Sequence, residues 1–314
     1  MIPIEWIEAA ARRISDYIEH TPISYDKELD IYIKWENKQT TGSFKVRGAI
    51  NRVLLLEPWE KKQGLVTASA GNHGQGVALA GRIVGTKVMV FVSDHAVPSK
   101  VNSMKELGAD IKYVIGGYGL SEASAIEYSL KNQATYISPY NDPQIIAGQG
   151  TIGLEILTKI QLDEPAASWI VPVGGGGLIS GIGVVKRANN IKGNLVGIQP
   201  ESSAFTHALF HVGSQEGIED NPTLADGLSG PMQDGSITLP IINNLVDDIL
   251  IVTEQEIKQA IAFAWKKYKE IIEGSAATSL AAILSGKVNS PAVIVITGGN
   301  IQQETHLQII EEFK

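Results

Sequence analysis

The chain has 314 residues, 44% of them hydrophobic and 19% charged, and a formal net charge of −8. That is enough apolar material for one large or two medium cores, and an acidic balance without a Lys/Arg cluster argues against a nucleic-acid partner. Cysteine is absent, which removes disulfides and thiolate-ligated metals and fits an intracellular, cytoplasmic protein.

Near the N-terminus Ile7, Ala11, Ile14 and Ile18 recur at helical spacing with charged residues between them. The pattern predicts an amphipathic surface helix and not an export signal. No apolar run approaches the length that a membrane-spanning helix needs. Ile31–Glu36 reads as a strand, and Thr40-Thr41-Gly42-Ser43 as a turn that opens a helix over Ser43–Leu56. Lys45 lies in that opening, between Phe44 and Val46, and is expected to be half buried. Burial disfavours the ammonium, and the free amine can form a Schiff base with an aldehyde cofactor. A solvated lysine at a helix start is the alternative.

Strands are expected at Gly64–Ala68, Lys87–Val92 and Asp110–Ile115, alternating with helices at Gln75–Val84, Ser99–Leu107 and Gly119–Asn132. Asn141-Asp142-Pro143 is a turn signal. Beyond it come helices at Ile145–Ile160, Gly177–Asn189, Glu254–Lys269 and Ser275–Ser285. Strands fall at Ser168–Val173, Leu195–Gln199, Asp248–Val252 and Ala292–Thr297. The alternation predicts an α/β fold with parallel sheets covered by helices on both faces. It divides the chain into a large unit, residues 1–58 and 142–314, and a small α/β unit, residues 59–141, inserted in it.

Two loops look built for anions. Gly174-Gly175-Gly176-Gly177 joins an apolar strand to a helix, so backbone N–H groups converge with the helix N-terminus. No Lys-Ser or Lys-Thr follows, so this is not a nucleoside-triphosphate loop. A dinucleotide fingerprint would need glycine at Ile179 or Ser180, which leaves a nicotinamide oxidoreductase as a weak alternative. Ser69-Ala70-Gly71-Asn72-His73-Gly74-Gln75 makes the second such loop, suited to a carboxylate. Thr297-Gly298-Gly299-Asn300 ends the last strand where α/β proteins bind ligands. His207 and His211 are four apart, as helical metal ligands would be, but no third ligand is evident nearby.

Taken in order, Ser43-Phe44-Lys45-Val46-Arg47-Gly48-Ala49, the Ser69–Gln75 loop, the tetraglycine loop and Thr297–Asn300 resemble the serine/threonine dehydratases. These are pyridoxal-phosphate (PLP) enzymes of fold type II, a group that includes serine racemase. Ile145–Thr151, Ala225-Asp226-Gly227 and Val246-Asp247-Asp248 extend the likeness over nearly the whole chain. The resemblance implies two open, mostly parallel twisted sheets flanked by helices, like the tryptophan synthase β subunit. It further implies that Lys45 holds PLP and acts as the base at Cα, with Phe44 beside the ring. Asn72 would bind the ring's phenolic oxygen, Gly174 to Gly177 the phosphate, and Thr297 the pyridine nitrogen. Ser69, Ala70, Gly71 and Asn72 would hold the substrate carboxylate, and Glu273 is a weaker candidate near the cofactor.

The implied activity is conversion of L-threonine to 2-oxobutanoate and ammonia, or of L-serine to pyruvate and ammonia. A threonine hydroxyl protonates the pyridine nitrogen incompletely, which favours prompt β-elimination over reprotonation or transamination. The cofactor phosphate would serve as the general acid for the departing hydroxide. Serine racemase, 3-hydroxyaspartate dehydratase, a sulfur-transfer enzyme and a silent ligand-binding protein are the alternatives. Two departures from relatives matter. Ala70 stands where racemases carry a serine, and alanine cannot donate a proton to the second face. Gln199 and Phe205 stand where many relatives have acidic cation ligands, so no such metal site is expected. The chain ends soon after Asn300, which predicts no C-terminal regulatory domain, and the resemblance implies a homodimer.

Overall fold

The computed structural model describes residues 2–160 and 168–314. Ten strands among the described residues form two sheets. They are β1 (Ile23–Asp26), β2 (Ile31–Trp35), β3 (Leu65–Ala68), β4 (Val88–Ser93), β5 (Asp110–Val114), β6 (Thr135–Tyr136), β7 (Ser168–Pro172), β8 (Leu195–Pro200), β9 (Asp248–Val252) and β10 (Ala292–Ile296). The larger sheet runs β1-β2-β10-β7-β8-β9 and the smaller β5-β4-β3-β6. Every pairing is parallel except β1 with β2. The larger sheet thus takes its strands from both sides of the smaller one in sequence.

The strands of the sheet centres are Val/Ile-rich and buried along most or all of their length, as befits parallel sheets covered on both faces. Each Val or Ile of β10 stabilises the fold by roughly 1.5–3 kcal/mol relative to exposure. Helices fill the space between layers. The helix Lys45–Leu54 lies against both Asn72–Val84 and Pro143–Leu157. Glycines make this approach possible. A Cβ on Gly148 would lie 2.5 Å from Gly48 Cα, and one on Gly76 would lie 3.2 Å from the Lys45 carbonyl carbon. The turn that carries Lys45 is therefore clamped from two sides.

Two residues further on, Arg47 anchors the same helix in a buried ionic cluster. Its guanidinium reaches Glu36 at 2.7 Å and Glu155 at 2.6 Å, and Lys34 reaches Glu155 at 2.5 Å. Arg47, Lys34 and Glu36 are wholly buried. Breaking such a pair costs about 3–5 kcal/mol, because it strands a charge away from water.

The structure departs from the sequence reading at several elements. β1 is short, antiparallel and largely exposed, so it lacks the apolar run of the other strands. β6 has only two residues. The helices Pro58–Gln63, Phe205–His211, Thr238–Leu245 and Gln303–Glu312 were also not anticipated. The helix expected from Gln75 begins at Asn72. Gly74 suits this first turn, because a Cβ there would lie 2.3 Å from the Met104 sulfur and 2.8 Å from the Ser69 carbonyl oxygen. The helix expected over Glu254–Lys269 is α-helical to Phe263, then widens into a π turn over Ala264–Tyr268. No helix among the described residues is long and apolar enough to cross a membrane.

Candidate active site

A cavity of about 420 Å³ opens at the carboxyl ends of β3, β7 and β10, the place where open α/β sheets bind ligands. Every residue expected to bind the cofactor or substrate lines it, beginning with Phe44, Lys45, Ser69, Ala70, Gly71 and Asn72. Gly174 to Gly177, Glu273 and Thr297 complete the set.

Lys45 is the first residue of its helix and is half buried, as expected. The preceding loop is stitched to the end of β10, with the Phe44 N–H donating to Thr297 O at 3.0 Å and the Gly299 N–H to Gly42 O at 2.9 Å. Lys45 Nζ donates to Pro139 O at 3.1 Å and lies 5.3 Å from the centroid of the Phe44 ring. Burial pushes its ammonium down to about 8, against the opposing pull of Glu273. His73, buried beside it, is pushed down to about 3 by burial and by the Lys45 charge. The neutral ring can then donate from Nε2 to Ile137 O at 3.0 Å, and its Nδ1 has no partner among the described residues.

Asn72 opens its helix and is held at both ends of its amide. Asn300 Nδ2 donates to Asn72 Oδ1 at 2.7 Å, and Asn72 Nδ2 donates to Glu273 Oε1 at 2.7 Å. Asn300 also donates to Thr41 O at 2.9 Å, so one side chain ties the lysine loop to the asparagine. Glu273 is buried, and its carboxyl is pushed up to about 7, first by burial and then by the Asp226 charge. Gly298 leaves it room, since a Cβ there would lie 2.6 Å from Oε1.

The tetraglycine loop meets two demands at once. Side chains at Gly175 and Gly176 would collide with the Tyr140 ring and Ile242, and Gly176 is left-handed at φ +84. The carbonyls of Gly174 and Gly175 accept from the Thr206 and Thr238 hydroxyls, each at 2.7 Å. Among the described residues no acceptor is paired with the N–H groups of Gly174, Gly175 and Gly176. They stand at the N-terminus of the helix Gly177–Ala188, a ready anion cradle.

Gln199 is wholly buried and accepts the His207 N–H at 2.9 Å, while Phe205 is buried at the start of the same short helix. His207 and His211 both face the carbonyl of Ile249. No group of three or more His, Cys, Asp or Glu among the described residues is placed to hold a metal. Sequence reasoning did not single out Tyr140, Lys100 or Ser275 as cavity residues. Of these only Ser275 carried a signal, as the neighbour of Glu273 in a helix start. Asp226, quoted only as part of a motif, also lines the cavity.

The sequence matches the pyridoxal-phosphate dependent enzyme family over residues 14–298. It is 39% identical to the L-threonine ammonia-lyase of Thermotoga maritima over 311 residues, 96% of this chain and 76% of that protein. It is also 39% identical to the catabolic L-threonine dehydratase of Escherichia coli K12 over 287 residues, 89% of this chain and 85% of the other. The crystal structure of serine racemase from Dictyostelium discoideum superposes with a TM-score of 0.86 at 35% identity, covering 96% of this chain and 99% of that one. With the two sheets and the motif order already described, these likenesses show that the chain belongs to the fold type II PLP-dependent enzymes, in the serine/threonine dehydratase family.

Proposed function

We propose that the chain is a hydroxyamino-acid ammonia-lyase that converts L-threonine to 2-oxobutanoate and ammonia, and L-serine to pyruvate and ammonia. The residues of the cavity fit PLP. Its dianionic phosphate suits the unpaired N–H groups at Gly174 to Gly176 and the adjoining helix N-terminus. Lys45 offers an amine of lowered pKa for the aldehyde carbon. Asn72 would hold the phenolic oxygen, Thr297 the pyridine nitrogen, and Phe44 would pack beside the ring. The loop Ser69 to Asn72 would take the substrate carboxylate.

Bound there, PLP supplies an electron sink that acidifies the substrate Cα–H and so allows the β-hydroxyl to leave. The protein's part is proton handling and orientation. Lys45 takes the proton from Cα, since burial beside Phe44 leaves its amine readily neutral near pH 8. Glu273 and Asn300 hold the Asn72 amide in one orientation.

The observation that carries the lyase reading is the pairing of Lys45 with Ala70 in one cavity. Lys45 serves one face of Cα, and the Ala70 methyl offers no proton for the other. The relatives from Thermotoga maritima and Escherichia coli support threonine as a substrate. The test is keto-acid release across D- and L-serine, threonine and 3-hydroxyaspartate, with and without divalent cations. Turnover of L-threonine or L-serine is expected, without strong cation activation, given the neutral Gln199 and apolar Phe205. Serine racemase is the second reading, favoured by the likeness to the Dictyostelium enzyme. Formation of D-serine faster than pyruvate would replace the lyase reading with it.

We also assign residues 1–58 and 142–314 to a large cofactor-binding domain and 59–141 to a small domain, on the strength of the strand order. The working form is a cytoplasmic homodimer, which the family resemblance supports and sedimentation velocity tests.

A further inference from the structure

We infer that Asp226 acts as a charge filter in the cavity: by holding the Lys100 ammonium it restricts the site to hydroxyamino acids whose β-substituent is uncharged. The inference rests on the lyase reading and sharpens its substrate class. Lys100 belongs to the helix Pro98–Glu106, which follows β4 of the smaller sheet. Asp226 belongs to the short turn Asp226–Leu228, between β8 and β9 of the larger one. Their side chains meet 2.5 Å apart, with Lys100 only 17% exposed and Asp226 59% exposed.

Both residues line the cavity, together with the carboxylates Asp220 and Glu273. The lysines lining it are Lys45 and Lys100. Lys45 has the chemistry to perform. Of the lining histidines, His73 stays neutral, and His95 is 87% exposed beside Asp94. Lys100 is therefore the cation that a second substrate carboxylate would seek. That cation is already paired. A β-carboxylate would have to displace Asp226 and lie near Glu273, which bears a like charge above pH ~7. The fields of Asp226 and Lys100 both reach Glu273, the first raising its pKa and the second lowering it, so the ion pair acts inside the cavity as well as at its mouth. A threonine methyl or a serine hydrogen meets none of this repulsion.

The experiment compares kcat/KM for L-threonine and L-threo-3-hydroxyaspartate in the native holoenzyme, in Asp226→Asn and in Asp226→Asn/Lys100→Met. Asp226→Asn frees Lys100 and is expected to raise the ratio of 3-hydroxyaspartate to threonine by ~10-fold or more, the scale of one partly screened charge interaction. The gain should come mainly through KM and shrink with added salt. The double variant should lose it. Calorimetric binding of 3-hydroxyaspartate to the cofactor-free chain gives the same comparison without turnover, with Kd falling in Asp226→Asn alone. If Asp226→Asn weakens both substrates equally, or if the double variant keeps the gain, the pair is only a structural clasp and the filter is wrong. Failure of the native enzyme to release keto acid from any hydroxyamino acid would instead overturn the lyase reading, and calorimetry would still decide the filter.

Discussion

Lys45 and Arg47 stand two residues apart on one helix, yet their surroundings push them in opposite directions. Arg47 is enclosed by Glu36 and Glu155, and these partners hold its guanidinium charged above the usual range while Arg47 and Lys34 hold Glu36 below it. Among the described residues no carboxylate is hydrogen-bonded or ion-paired to Lys45. Burial moves its ammonium down to about 8 and moves the Glu273 carboxyl in the same cavity up to about 7. One cluster satisfies its charges and fixes the helix. The other leaves its groups near the pH at which protons can be exchanged. The difference separates a structural ion cluster from a site poised for chemistry.

The sharpest way to test that separation is to remove each cation in turn. Lys45→Ala should cut keto-acid release by ~10³-fold or more, the upper range for a lost acid–base group. It should also remove the cofactor absorbance near ~410 nm. Its thermal unfolding should change little, because a half-buried ammonium is poorly solvated to begin with. Arg47→Ala should do the reverse. It strands Glu36, wholly buried, and should cost about 3–5 kcal/mol of stability by urea unfolding. Activity per folded molecule should fall far less than in Lys45→Ala. Loss of activity in Arg47→Ala with unchanged stability would dissolve the distinction.

A smaller effect is expected at Asn72, whose amide is held between Asn300 and Glu273. Asn72→Ala should lower kcat by roughly 10- to 100-fold, the weight of one or two charge-assisted hydrogen bonds. Asn300→Ala should lower it less and shift the cofactor absorbance in the same direction, because it acts through Asn72 and the Thr41 turn. An Asn300→Ala enzyme with a native spectrum would show that Asn72 needs no support.

The sequence made the parallel strands legible because buried strands such as β8 and β10 are nearly continuous apolar runs. It made the cavity legible through small residues, since Gly174 to Gly177 and the Ser69–Asn72 loop are too exacting in backbone to serve as ordinary turns. What stayed hidden depends on contacts far apart in the chain. The pairing of Lys100 with Asp226 spans 126 residues and that of Asn72 with Glu273 spans 201. Neither has a local pattern. β1 and β6 were missed for a different reason: an exposed antiparallel edge and a two-residue pairing bury too little to leave a periodic trace.

Glu273 supplies the finest contrast with Arg47, because its charge costs stability instead of adding to it. The carboxyl is raised to about 7 in the fold, above its ordinary value of 4.5. Between those values the unfolded chain ionises while the folded chain keeps its proton, so native stability falls as pH rises from 4.5 to about 7. Above pH 7 the buried anion accepts the Asn72 N–H more strongly than the neutral acid can. Glu273→Gln should therefore be more stable than the native chain at pH 8, by on the order of 1–3 kcal/mol. The gain should fade as pH falls towards 4.5, where both chains carry a neutral group. Activity should move the other way. Native kcat/KM should drop as pH falls through about 7, and Glu273→Gln should show a flat, lower profile across the same range. An unchanged acid limb in the variant would assign that limb to another group, and equal stability of the two chains at pH 8 would mean that the carboxylate is well solvated in the cavity.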